Sequence, residues 1–532
     1  MFDYIIIGGG SAGCLLANRL SENPDNLVCL LEAGPSDKTY WVRDCNPVNM
    51  LYLMNSRKYN WLYQAEKQTN TGDRRFFWPR GKALGGSSSI NAMIYTRGHR
   101  QDFDHWAALG NPGWDYDSVL PWFKKSQRQH RGADAFHGDQ GSMDVVDTNF
   151  HFPVSHAFVR GCEEAALPLN PDMNGADQEG CGFFQITQTP QGKRCNAATS
   201  FLDEAESRPN LKIITGAHVS RITFAGKTAT GVEYFDLTDN RKRVTLFARK
   251  EVILSAGVIN SPQILKLSGV GPADELSAMN IPLVHDLPGV GENLQDHPDV
   301  ILRHLDKSNS CFSLSPNRHL LKFWSGYFSN KAPFIFTPTD AGGFIKSDPS
   351  EPIPDLQLQF AAIRMRPHGH GLFTPMKSGY VLHICHLRPK SRGRITLRSN
   401  DPFAPPRIEA NYFDDETELD ALVKGVRIAR KILASPAMQA FNGGEEVPGP
   451  GVESDEQIRQ FIRSNVETVY HTAGSCKMGN DPMAVVDAQL RVHGVDRLRV
   501  IDSSIMPTIT GSNIHAPTVM IAERGAQMVL SS

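Results

Sequence analysis

The chain has 532 residues, with 55 lysines and arginines against 57 aspartates and glutamates, a formal charge of −2 and 40% hydrophobic side chains. It is too long for one ordinary core, so two or more domains are expected. The even charge balance, without a long run of one sign, offers no nucleic-acid face and no polybasic membrane patch. The nine cysteines are scattered and never form a CxxC pair. Zinc and dithiol chemistry therefore have no support, no metal is expected, and a reducing, cytoplasmic setting is.

The opening stretch "MFDYIIIGGG" enters a strand at once, with no basic n-region, h-region or cleavage site. "YIIIGGGSAGCLLANRLSEN" reads as a buried strand, a glycine turn and an amphipathic helix, and "LVCLLEAG" as a second strand. This is the βαβ opening of a dinucleotide-binding sheet. A segment rich in Trp, Arg, Gly and Ser (38–110) precedes the helical "YDSVLPWFKKSQ". Alternating strands follow in "LKIITGAHVSRITFAG" and "ATGVEYFD", then a strand–turn–helix in "KEVILSAGVINSPQILKLSGVG". That last stretch is the most apolar of the chain, but Asn260, Pro262 and Lys266 interrupt it. No spanning helix is expected, and peripheral contact with a membrane stays open. From about 300 to 460 the pattern becomes that of an antiparallel sheet ("PDLQLQFAAI", "SGYVLHICHLRPKS", "GRITLRS"), with helices near 416–435 and 454–464. The final segment returns to α/β texture.

The expected fold is therefore α/β, α+β over the whole chain. A discontinuous Rossmann-like nucleotide-binding domain (1–150, 192–300 and 465–532) holds an inserted antiparallel-sheet substrate domain (151–191 and 301–464). Gly8-x-Gly10-x-x-Gly13 has the spacing that lets backbone amides approach a pyrophosphate at a helix N terminus. Glu32, nineteen positions after Gly13 at the end of the next strand, is placed to accept hydrogen bonds from ribose hydroxyls. The turn itself does not separate NAD from FAD.

The block "RGKALGGSSSINAMIYTRGHRQDFDHW" (80–106) has the make-up of a backbone-donor loop entering a helix, suited to lie against a large polar ring system. Its Gly81-Lys82-x-Leu84-Gly85-Gly86-Ser87-Ser88-x-Ile90-Asn91 resembles the first signature of the glucose–methanol–choline (GMC) oxidoreductases. "GVINSPQILKLSGVG" (257–271) resembles the second, with Val258 where a small residue is usual. "LPGVGENLQDHP", "YHTAGSCKMG" and "VIDSSIMPTITGSNIHAPTVMIAE" are also similar to blocks of that family and stand in its order. The texture is closest to the bacterial choline and primary-alcohol dehydrogenases.

The resemblance implies a glucose-oxidase-like fold, FAD, and oxidation of an alcohol to a carbonyl compound. It places the ADP half on Gly8, Gly10, Ser11, Ala12, Gly13, Glu32 and Ala33, with Val219 near the adenine. The isoalloxazine and ribityl would follow Gly85, Ser87, Asn91, Ala92, Met93 and Ile94, then Ala256, Asp502, Ser503, His515, Pro517 and Thr518. Some members tether FAD through a histidine just before the asparagine of the loop. The residue here is Ile90, so dissociable FAD is expected.

An alcohol releases hydride readily only when its hydroxyl proton leaves at about the same time, and imidazole is the natural base near neutral pH. His471 occupies the family's base position. His515 aligns with its partner, which is asparagine in choline-type members and histidine in glucose-oxidase-type members. The two are expected to form one site, whether His515 orients the oxygen or shares the proton. Asp296-His297 is expected to shape a loop beside the flavin.

A trimethylammonium substrate would want an aromatic cage and a carboxylate, neither of which the sequence assigns, so a neutral primary alcohol is expected. Electrons would pass to a quinone or dye-like acceptor. An oxidase using oxygen, or a lyase with a redox-silent flavin, is the alternative on the same fold. "PHGHG" (367–371) reads as an exposed loop. The aromatic run "FWSGYFSNKAPFIF" (323–336) reads as packing of the inserted domain or the lining of an apolar channel.

Overall fold

The computed structural model describes residues 1–148, 150–313, 339–365 and 377–532. The 323–336 aromatic run and the whole of "PHGHG" lie outside these described residues. Along the chain run β1 (Phe2–Ile7), α1 (Ser11–Ser21), β2 (Val28–Glu32), β3 (Gly180–Phe183), β4 (Leu211–Thr215), β5 (Ala217–Ala225), β6 (Thr228–Asp236) and β7 (Lys242–Leu254). Then come α2 (Gly257–Leu267), β8 (Pro298–Asp306), β9 (Thr339–Ile345), β10 (Leu356–Ala361) and β11 (Gly379–His386). The chain ends with α3 (Thr417–Leu433), β12 (Asn442–Val447), α4 (Asp455–Asn465), β13 (Glu467–Thr468), β14 (Leu498–Val500) and α5 (His515–Leu530).

Two sheets divide the protein. The first has a parallel part in the order β14-β7-β1-β2-β4. Its central strands are largely apolar and buried, with α1 packed against β1 and β2 and the ribbon strand β5 also against β2. The long β7 serves three partners: its second half lies parallel between β1 and β14, and its first half pairs antiparallel with β6, which pairs with β5. The second sheet is antiparallel, in the order β12-β8-β11-β10-β9-β3, with β13 added to the start of β8. Its core packs against α3, whose apolar face includes Leu419, Leu422, Val426, Ala429 and Leu433. "GRITLRS" is not part of this sheet: Arg394–Thr396 pairs with Arg407–Glu409 as a separate ribbon.

The first sheet draws on residues 2–32, 211–254 and 498–500. The antiparallel sheet draws on 180–183, 298–306 and 339–447, together with β13, which lies inside the segment assigned to the first domain on sequence grounds. The 80–106 segment does not run straight from loop into helix. A single 3₁₀ turn at Gly86–Ser89 is followed by extended chain, and the helix begins only at Arg100. All nine cysteines are buried and unbridged. No helix of the described residues is long and apolar enough to cross a membrane.

α1 is held against β1 by a missing side chain. A Cβ on Gly13 would sit 1.9 Å from the carbonyl oxygen of Gly8 and 3.4 Å from Cγ2 of Ile6. Backbone cannot yield there as a flexible side chain can. Gly13→Ala is therefore expected to lower the free energy of unfolding by about 1–3 kcal/mol, the usual cost of overpacking. Denaturant unfolding of the two proteins measures this, and equal midpoints would contradict the packing account.

Candidate functional site

A cavity of about 410 Å³ opens at the carboxyl ends of β1, β2 and β7, where an open α/β sheet places its ligands. Its far wall comes from the antiparallel sheet, through Thr339, Gln359 and His383. Of the residues marked in the sequence, Gly8, Gly10, Ser11, Ala12, Glu32, Ala33, Ser87, Asn91, Ala92, Met93, Ile94, Val219, Ala256, Asp502, Ser503, His515, Thr518 and His471 line it. Gly13, Gly85 and Pro517 do not. Gly13 lies behind the turn, in the helix–strand contact. Gly85 is turned left-handed, with the Ser89 hydroxyl and Asn196 against it, and Pro517 is buried in the first turn of α5.

The turn after β1 is built for an anion. Gly10 needs no freedom on account of the protein, because a Cβ there would meet only Gly86 Cα at 4.0 Å. The space it keeps open is part of the cavity. α1 has no side-chain cap, nor has α5, and the first residues of both helices border the cavity, leaving amide donors and the positive ends of two helix dipoles toward it. Glu32 closes the turn: its two carboxyl oxygens accept the amides of Gly9 (2.9 Å) and Gly34 (2.7 Å). Burial pushes its pKa up to about 7 against those two bonds. Each oxygen keeps a second lone pair for a hydroxyl donor.

At the other end Arg194 braces the loop, donating through Nη1 to the Asn91 carbonyl (2.8 Å), the Asn91 side-chain oxygen (2.9 Å) and the Ser88 carbonyl (3.2 Å). Met93 is held left-handed at φ 66°, with its amide on the Asn91 side-chain oxygen. Asp502 is committed to the protein. It accepts from Gly257 N (2.8 Å), Ser261 Oγ (2.6 Å) and Ser504 N (2.8 Å), and so satisfies the start of α2.

His471 stands on the wall between the two sheets. Tyr470 before it is left-handed at φ 70°, a conformation costly for a bulky residue and kept only where its surroundings impose it. Here they do: Arg80 Nη2 donates to the Tyr470 carbonyl (2.7 Å), and the Tyr470 amide donates to Thr468 Oγ1 (2.7 Å). The His471 ring bonds through Nε2 to Asn513 Nδ2 (2.9 Å) and through Nδ1 to His297 Nδ1 (3.1 Å). Burial, and next the Arg80 charge, push its pKa down to about 3, with Asp299 opposing. The imidazole is neutral at physiological pH.

His515 begins α5 two residues after Asn513. Its Nδ1 lies 3.1 Å from Ser11 Oγ, and its Nε2 is buried with no hydrogen-bond partner among the described residues. Burial, followed by the Arg194 charge, lowers its pKa to about 4. An orphaned polar atom on a cavity-lining residue, beside a glycine-lined turn and two uncapped helices, fits a bound group that supplies the missing contacts.

Asn513 escaped the sequence reading, although "GSNIHAPT" contains it, because its importance depends on where its amide points. His297 does not line the cavity. It lies fully buried behind His471, bonded to it, and so does more than shape a loop.

A family model described as GMC oxidoreductase matches residues 2–299, and a second with the same description matches residues 389–522. Over 535 residues the chain is 44% identical to alcohol dehydrogenase [acceptor] of Pseudomonas putida, spanning 100% of this chain and 96% of that protein. It is 43% identical over 542 residues to the oxygen-dependent choline dehydrogenase of Proteus mirabilis (99% and 96% covered). Among solved structures, a variant of formate oxidase from Aspergillus oryzae RIB40, studied for modification of its FAD, superposes with a TM-score of 0.91 at 26% identity. That match covers 100% of this chain and 98% of the other.

Proposed function

We propose, from the premise that the chain belongs to the GMC oxidoreductase family, that it oxidises a neutral primary alcohol to the aldehyde with His471 as the base. FAD is the cofactor, and the acceptor of its electrons is not NAD. The turn of Gly8, Gly10 and Ser11, Glu32, and the Ser87–Met93 loop would hold it. Bound there, FAD supplies the two-electron acceptor for the hydride on the alcohol carbon. The observation that carries the proposal is the neutral, buried His471 on the same cavity as the unpartnered Nε2 of His515.

The alcohol O–H takes the place of the Asn513 amide as donor to His471 Nε2, and that nitrogen receives the proton. The displaced Asn513 N–H and the His515 ring then face the alcohol oxygen. His515 donates there when Ser11 Oγ–H donates to its Nδ1 and the ring proton sits on Nε2. Both donors hold charge developing on oxygen in a water-poor pocket, where such contacts count most.

Among the described residues, the carboxylates lining the cavity are Glu32 and Asp502, both engaged by backbone amides. Neither is left for a quaternary ammonium, which favours a neutral substrate. A quinone is the acceptor proposed.

Ile90 packs with Val42, Leu53, Tyr59 and Ala83 and offers no nucleophile, so FAD is proposed to be held without a covalent bond. Acid precipitation of the holoprotein is then expected to leave all the flavin in the supernatant, and flavin retained in the pellet would contradict this.

His471→Ala is expected to keep fold and flavin while kcat falls by at least about 10²-fold. His515→Asn keeps much of the activity through its amide donor. His515→Ala loses roughly 1–3 kcal/mol, or about 5- to 150-fold in rate. Equal damage from Asn and Ala would transfer the proton to His515. The base must be neutral to act, and its folded pKa lies below the ordinary imidazole value. The profile of kcat/KM is therefore expected to stay level from about pH 8 to about pH 6 and to fall only below that. An acid limb near neutrality would contradict the account.

A further inference from the structure

The contact behind His471 has a direction. Asn513 Oδ1 accepts from Gln357 Nε2 (2.9 Å) and from Thr96 Oγ1 (3.1 Å), so its amide nitrogen is the end that faces His471 Nε2. Gln357 is oriented in turn, its Oε1 accepting from Gln359 Nε2 at 3.1 Å. A neutral imidazole carries one N–H. With Nε2 accepting from Asn513, the proton of His471 sits on Nδ1, and the group at hydrogen-bonding distance from it is His297 Nδ1, 3.1 Å away.

This meeting is built into the backbone. Gln295 and Ala473 exchange amide–carbonyl bonds of 2.9 Å each, and stepping two residues along each strand from that pair brings His297 opposite His471. Residues two apart share a face of the ladder, where opposed side chains touch. Beyond it the pairing resumes at Pro298 with Thr468, two residues out of register, and the left-handed Tyr470 lies in the slack. Other charged or titratable groups nearby are Arg80 and Asp299 toward His471, and Arg388 and His386 toward His297.

Given His471 as the base proposed above, we propose that His297 is a positioning residue for the reaction: it accepts the Nδ1–H of His471 and so fixes the tautomer whose Nε2 receives the alcohol proton. The bond that breaks is the alcohol O–H, and the bond that forms is Nε2–H. The Nδ1–H stays in place and becomes the stronger donor of an imidazolium. A neutral imidazole as acceptor differs from the carboxylate of a serine-protease triad in one respect: it orients the base without adding a negative charge that would raise its pKa.

His297→Leu removes the acceptor and leaves a buried donor unsatisfied, whereas His297→Asn puts an amide oxygen close to where Nδ1 lies. With flavin content checked by absorbance, the Leu variant is expected to lose about 5- to 150-fold in kcat at unchanged KM. The Asn variant should recover to within about 5-fold of the parent. In a His471→Ala background, His297→Leu is expected to cost nothing further. A rise in KM alone, equal losses for Leu and Asn, or a second full loss in the His471→Ala background would each overturn the positioning role. Where the Leu protein fails to bind flavin, an Asn variant as poor as His471→Ala overturns it equally. Should His471→Ala itself retain full kcat, the base assignment fails, and the cycle separates that failure from the failure of His297.

Discussion

The rest of the site is arranged around one desolvated imidazole. His471 is buried beside the guanidinium of Arg80, and both effects favour its neutral form. A buried neutral ring must have its nitrogens satisfied, or it costs more than it contributes. The protein meets this with Asn513 on one side and His297 on the other. Arg80 acts twice: its charge keeps the ring unprotonated, and its hydrogen bond to the Tyr470 carbonyl keeps the ring where it is.

These contacts join the two halves of the chain. Asn513 and His515 precede or begin α5, a helix tied to the nucleotide sheet by the ion pair between Glu523 and Arg19 of α1. His297 and Gln357 belong to the antiparallel sheet or its edge, and His471 follows the short strand added to that sheet. His471, from the side of one sheet, therefore faces the glycine turn and His515, from the side of the other, across one cavity.

Much of this was legible in the sequence. A buried apolar strand, a glycine turn and a helix are local, and Gly8, Gly10 and Glu32 stand out by their spacing within that frame. The two histidines stood out through the blocks that resemble the GMC family, and the need of an alcohol for a base gave that resemblance its chemical sense. Asn513 and His297 were not legible, for a physical reason. Their parts are set by cross-strand register, by the left-handed Tyr470 and by the orientation of an amide, and none of these leaves a periodic trace. Asp502 shows the reverse case. Its position was marked, but the three donors that occupy it come from α2 and from the next turn of the chain, which only the folded structure brings together.

The central claim is that this cavity couples loss of an alcohol proton to loss of hydride from the same molecule. Mixing the purified holoprotein with a neutral primary alcohol under strict exclusion of oxygen, while following the visible flavin absorbance, tests it most directly. The account predicts that the colour bleaches, that dideuteration of the carbinol carbon slows the bleaching, and that a quinone restores the colour. An absorbance left unchanged by a broad panel of primary alcohols would contradict it.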